Sequence, residues 1–153
     1  MSDKYELDDV DKKILQYLQQ DGRIPFLEIA RTLNVSGGMI HQRVDKLIEI
    51  GVIKGFQVII DKEKLGYDVT VLVGVHLSNA KDCAKVIEKL KKLDEVVEAH
   101  YTTGNYALIL KIYTKSIQDF QNFLMNKLQL IGELRSTESF VCLETPIERS
   151  ISP

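Results

Sequence analysis

The chain opens with three apolar stripes at helical spacing. Val10, Ile14, Leu15 and Leu18 fall on one face of a predicted helix, with Asp8 and Asp11 as its N-terminal cap and Asp21-Gly22 as its stop. Pro25 predicts the first turn of a shorter helix with Phe26, Ile29, Ala30 and Leu33 facing inward. "NVS" follows as a turn: Asn34 tolerates a left-handed backbone, Val35 plugs the core, and Ser36 starts a third helix. Ile40, Val44, Leu47 and Ile48 form the third stripe, and Gly51 caps that helix at its C-terminus. Residues 1–52 are therefore expected to form a three-helix unit.

From Val52 the period shortens to that of strands. "VIKGFQVII" predicts an extended segment and "DKEKLGYD" a turn or boundary, so residues 53–67 are expected to act as a strand linker. Next come "VTVLVGVHL" as a strand, "NAKDCAKVIEKLKKL" as a helix capped by Asn79 with Asp82, and "EVVEAHYTT" as a strand. The pattern recurs about 37 residues later as "NYALILKIYT", a helix capped by Ser116 with Asp119, and "ELRSTESFVCLE". This βαββαβ order over residues 68–153 predicts a ferredoxin-like sheet whose first and third strands, the most continuously apolar, lie centrally. Val69, Val71, Val73, Val75 and Leu77 would meet the helices. Leu72, with Ile109 or Leu110, keeps the other face apolar, which predicts a homodimer packed sheet to sheet. The fold class is α+β: an N-terminal three-helix helix-turn-helix domain joined to a C-terminal βαββαβ ferredoxin-like domain.

Composition narrows the classes of function. With 153 residues, 44% apolar and 27% charged, the chain has the make-up of a globular protein. No apolar run approaches the ~18 residues of a membrane span, and "MSDKYELDDVDKK" lacks the basic-then-apolar order of a secretory signal; a cytoplasmic address without a membrane partner is expected. Cys83 and Cys142 have no second Cys or His at zinc-site spacing, so both are expected to be buried reduced thiols, with no metal and no cofactor. A net charge of −2 lacks the basic surplus of most phosphate binders, so any nucleic-acid binding must come from local geometry.

That local geometry is found at "LNVSGGMIHQRVDKL". Two helices joined by a short turn, with small Ala30 at their crossing, make the helix-turn-helix arrangement, whose second helix can enter the DNA major groove. Gly37 and Gly38 occupy its first turn, where each costs up to ~1 kcal/mol against alanine. Their missing side chains permit close backbone approach, and Ser36 with the free N–H groups of that turn attracts an anion. Met39, Gln42, Arg43 and Lys46 lie off the apolar stripe: Arg43 is the expected base or phosphate reader, Gln42 suits adenine, and Met39 suits a thymine methyl. The same pattern also fits a solvated face or a protein contact, and His41 fits a groove contact or a surface position equally well.

A second concentration of chemistry is "HYTTGNYALI". Gly104-Asn105 between two strands predicts a hairpin turn with positive φ at Gly104, which by itself is only a turn. Around it crowd hydroxyls and amides: Tyr101, Thr102, Thr103, Asn105 and Tyr106, with Ser136, Thr137 and Ser139 on the last strand. N–H and hydroxyl donors suit a carboxylate, and amide oxygens suit an ammonium, so a small zwitterion is the expected ligand. Thr137 and Ser139 share a strand face by period-two alternation, so their hydroxyls would point the same way, toward one ligand.

The Ala30-x4-Val35-Ser36 helix-turn-helix, "GVIKGF", "KLGYDV" and "YTTGNYALILK" together resemble the Lrp/AsnC family of feast/famine transcription regulators across essentially the whole chain, nearest its asparagine-responsive members. The resemblance implies an N-terminal DNA-binding domain, a ligand-binding domain of ferredoxin-like type, and dimers that assemble further, commonly into octamers, with a small amino acid bound between dimers. Many relatives carry an acidic residue after the turn glycine; this chain has Asn105 there. The competing classes are weaker. His41, His76 and His100 show no metal or triad spacing and no phosphate loop appears, which counts against an enzyme, while a protein-interaction adaptor would share the trihelical unit without touching DNA.

Overall fold

The computed structural model describes residues 5–153. They divide into two units, one running to Ile59 and including Ile147–Pro153, the other Ile60–Pro146.

In the first unit α1 spans Asp9–Gln20, α2 Phe26–Leu33 and α3 Gly37–Glu49. The Asp8/Asp11 capping box forms in full, Asn34 adopts the left-handed conformation at φ 56°, and Ser36 Oγ accepts from the Met39 N–H at 3.2 Å. Ile14, Leu18, Ile29, Ala30, Ile40, Val44 and Leu47 make one buried cluster, to which Val10, Leu15, Phe26, Leu33 and Val35 add partly buried surface. Ile48, assigned to the stripe, is exposed instead. The C-terminal segment returns to this unit, where Gln19 Nε2 donates to the Ile151 carbonyl at 3.1 Å.

After α3 the segment expected as a linker strand enters no ladder among the described residues. Phe56, Val58, Ile59 and Ile60 are exposed, Ile59 at 95%. An apolar strand sequence pairs only where a sheet edge lies alongside it, and this segment adds to neither edge strand of the second unit's sheet.

The second unit begins with a 3₁₀ turn, Glu63–Leu65, and continues β1 (Val69–Leu77), α4 (Cys83–Leu90), β2 (Val96–Tyr101), β3 (Leu108–Thr114), α5 (Ile117–Phe123) and β4 (Leu134–Cys142); a π-helical turn, Leu124–Leu128, extends α5. The antiparallel sheet has the order β2-β3-β1-β4, which places β1 and β3 centrally as their apolar content requires. Val71, Val73 and Val75 are fully buried with Val86, Leu90, Leu108, Leu110, Ile112, Phe120, Phe123 and Leu128. Leu110 thus belongs to the helix-covered face, and its neighbour Ile109, opposite Gly74, joins Leu72 and Phe140 on the open face. Cys83 and Cys142 are free but only half-buried, because one packs at the margin of the core and the other ends an edge strand.

One ion-pair cluster fastens α4 to the turn before β4. Lys85 and Lys89 both reach Glu133 at 2.6 Å, and these two ammonium groups hold its carboxyl down at about 2. A carboxyl whose folded pKa lies below its ordinary 4.5 contributes stability that is fully present above 4.5 and lost as the pH falls toward 2. The difference in melting temperature between wild type and Glu133→Gln is therefore expected to be largest at neutral pH and to close between pH 4.5 and 2. Thermal unfolding across that range checks it.

Candidate DNA interface and effector site

Helical phase decides which side chains of α3 are available to a partner. Gly38, His41, Gln42 and Lys46 are exposed, with Asp45 and Glu49 among them, whereas Gly37 and Met39 are half-buried. Lys46 Nζ pairs with Glu49 at 2.8 Å on the surface, a contact weak enough to exchange for a phosphate. His41 stacks edge-on against Phe26 with ring centroids 4.7 Å apart, which fixes its ring beside the start of α2. The two glycines differ. A Cβ on Gly37 would stand 2.7 Å from Leu27 Cδ2, so this glycine admits the neighbouring helix; a Cβ on Gly38 would meet nothing within 4 Å.

Arg43 departs from its expected place. Its guanidinium turns toward α1 and donates to Asp8 at 2.7 Å and Asp11 at 2.8 Å. Asp11 is fully buried, where it also accepts from the Tyr5 hydroxyl at 2.8 Å and the Asp8 N–H. Hydrogen bonds to Asp11 and then Asp8 raise the Arg43 pKa; the Asp8 carboxyl is lowered by the Asp11 N–H and then by Arg43. Arg43 is thus a brace between α3 and the N-terminus of α1, at the edge of the buried face rather than opposite it. Among the side chains singled out for base reading, this leaves Gln42 facing outward, with Met39 at the margin.

The second cluster gathers at the loop between β2 and β3. This is no two-residue hairpin: Thr102 N–H donates to the Ala107 carbonyl at 3.1 Å, and Thr102 Oγ1 donates to the Tyr106 carbonyl at 2.5 Å, closing a wider loop. In a loop of that width Gly104 needs no positive φ and has none; positive-φ glycines are Gly51, Gly55 and Gly66. Tyr101, Thr103, Gly104 and Asn105 line a cavity of about 270 Å³ with Thr102, His76 and Leu77. The first four were expected there; His76 was not, although its place near the end of β1, whose Val75 carbonyl accepts from Ala107 N–H, makes it a wall.

Tyr106 does not join them. Its ring lies across Gly74 on the open face of the sheet, where a Cβ would come within 2.5 Å, and its hydroxyl donates to Glu138. His76 at 5.0 Å and Phe140 at 6.4 Å flank the ring. Hydrogen bonding to the Glu138 carboxylate raises its pKa. Thr137 and Ser139 lie opposite Val75 and Val73 and share one face of β4, as their spacing predicts. Thr137 lines a separate cavity of about 250 Å³ with Arg135 and Ser136. In a single chain the hydroxyls of β4 are set apart from the loop by β1, a gap of two strand spacings or roughly 10 Å.

Comparison with known proteins agrees with this division. A family model described as winged helix-turn-helix DNA-binding matches residues 7–54, and one described as the Lrp/AsnC ligand binding domain matches residues 70–151. The chain is 49% identical to regulatory protein AsnC of Haemophilus influenzae, over 97% of this chain and 99% of that one. The structure of Escherichia coli AsnC superposes with a TM-score of 0.95 at 41% identity, covering 97% of this chain and all of that one. A Neisseria meningitidis transcriptional regulator, solved as a complex with L-Met, shares the fold at a TM-score of 0.91 and 22% identity, over 97% of each chain. The helix-turn-helix unit, the sheet domain and the near-complete overlap with these regulators lead to one assignment: the chain belongs to the Lrp/AsnC family of amino-acid-responsive transcription regulators.

Proposed function

We propose that the chain binds operator DNA through the first turns of α3, as a symmetric oligomer, and that asparagine in the cavity beside Asn105 modulates that binding or the assembly behind it. The cavity carries the reading: four residues chosen for zwitterion chemistry line one space, of a size suited to a small amino acid. Thr137 and Ser139 complete it from another subunit, since within one chain they lie across β1 from the loop. Self-association is supported by exposed apolar surface that nothing among the described residues covers, Leu72 and Phe140 on the open face and Val58 to Ile60 after α3. Dimers of this kind assemble further, toward octamers. No described helix is long and apolar enough to cross a membrane, and the proposed location is the cytoplasm.

A gel shift on DNA upstream of the protein's own coding sequence tests the reading. Affinity is expected to fall steeply with salt, because phosphate contacts release counterions, and to change when asparagine is added. Binding that ignores both salt and asparagine overturns it. Gly38→Val provides a local test: its Cβ meets no neighbour, so melting is expected to stay near wild type while the branched side chain holds the backbone off a phosphate. Wild-type operator affinity in that variant would remove the glycine from the interface.

A further inference from the structure

One wall of the cavity beside the Gly104-Asn105 loop is His76, near the end of β1 and opposite Ser136 of β4. Its ring is half-buried and packs with its centre 5.0 Å from that of Tyr106. Tyr106 is itself held in place: its ring lies across Gly74, where a Cβ would come within 2.5 Å, and its hydroxyl is tied to Glu138. The imidazole is therefore backed by a fixed surface. Neither of its nitrogens has a hydrogen-bond partner among the described residues. The other polar side chains of the lining are differently placed. Thr102 commits its hydroxyl proton to the Tyr106 carbonyl, and Tyr101, Thr103 and Asn105 are exposed. His76 is thus the half-buried polar side chain of the cavity whose hydrogen bonding is still open.

In its neutral form an imidazole carries one N–H donor and one acceptor nitrogen. A carboxamide meets whichever of the two faces it, since its NH2 donates to the bare nitrogen and its oxygen accepts from the N–H. An apolar side chain covers the ring and leaves that group unmet, which costs binding. A carboxylate can only accept, and the lining holds no Lys or Arg to balance its charge. We propose that His76 is the specificity-determining residue of this cavity and selects an amino acid whose side chain ends in a carboxamide over its apolar and acidic isosteres. The inference rests on the loop cavity being the effector site. There the loop holds the ligand's ammonium and carboxylate, and the ligand's side chain runs to His76.

L-asparagine, L-leucine and L-aspartate have side chains of nearly the same shape, so calorimetric titration of the full chain with the three reads chemistry rather than size. The wild-type chain is expected to bind asparagine about 10-fold or more tighter than either isostere. His76→Leu should weaken asparagine about 10-fold and tighten leucine, because an apolar wall then meets an apolar side chain. His76→Gln keeps a donor and an acceptor at the wall and is expected to keep asparagine ahead of leucine. A merely structural imidazole would weaken all three ligands together and leave their ratio unmoved. A wild-type chain that does not discriminate, an asparagine-to-leucine ratio unchanged by His76→Leu, or a preference lost equally in both variants would overturn the proposal. Asn105→Leu separates the two readings. Asparagine binding that survives Asn105→Leu, or a wild-type chain that binds none of the three, overturns the loop site and this inference with it; asparagine binding lost in Asn105→Leu with the ratio unmoved by His76→Leu overturns the inference alone.

Discussion

Arg43→Ala is expected to destabilise the helix-turn-helix unit and to lose DNA binding through that instability. The guanidinium is the only cation hydrogen-bonded to Asp11 among the described residues, and Asp11 is fully buried. Removing it leaves the carboxylate with the Tyr5 hydroxyl and the Asp8 N–H, and a buried charged acceptor deprived of a partner costs about 1 to 3 kcal/mol. That is a large fraction of what a small three-helix unit can hold, given total stabilities of about 5 to 15 kcal/mol for whole domains. Thermal unfolding without DNA should show the loss. Exchanging the buried pair for apolar groups, as Arg43→Met with Asp11→Leu, is expected to recover much of it, because an ion pair and a well-packed apolar pair are often close in energy. A base reader behaves otherwise: melting unchanged in Arg43→Ala, and DNA binding still absent in the double variant.

The signal for that brace was present in the sequence, on the partner helix. Asp11, Ile14 and Leu18 recur at i, i+3 and i+7, so the capping residue also lies on the buried stripe, and a carboxylate there requires a cation. Helical phase on α3 shows that Arg43 is off its own apolar stripe; it does not show which neighbouring element stands at the stripe's edge. Features set by local chemistry were legible: the Asp8/Asp11 box, left-handed Asn34, the Ser116 cap and the central placement of β1 and β3. Features that depend on the path of irregular backbone were not. Gly104-Asn105 looks like a two-residue turn until the Thr102–Ala107 hydrogen bond shows how wide the loop is. Tyr106 precedes the first regular residue of β3, so alternation along the strand does not say that its ring crosses to the open face. The apolar segment after α3 has the composition of a strand yet joins no ladder among the described residues, because pairing is a property of edges, which a single segment's sequence does not display.

Asn105→Leu is expected to abolish the response to asparagine while leaving basal operator binding in place. Asn105 is exposed in the loop and lines the cavity, so leucine replaces its amide without disturbing a packed neighbour. The amide oxygen is the group offered to the ligand's ammonium. Because Asn105 is neutral, the ammonium is held by dipoles rather than an ion pair, and affinity is expected to be modest. Losing a hydrogen bond to a charged ligand group costs about 1.5 to 3 kcal/mol, roughly 10- to 150-fold in affinity, enough to take a modest binder out of its working range. Gly104→Val supplies an independent arm. No positive φ forbids the substitution, and a Cβ there meets only Thr102 Oγ1 at 4.0 Å, so the variant should fold and instead fill the mouth of the cavity. Calorimetry with asparagine and operator gel shifts are run on both variants. Wild-type asparagine affinity in Asn105→Leu would exclude its amide from the site, and wild-type affinity in Gly104→Val would place the ligand away from the loop altogether.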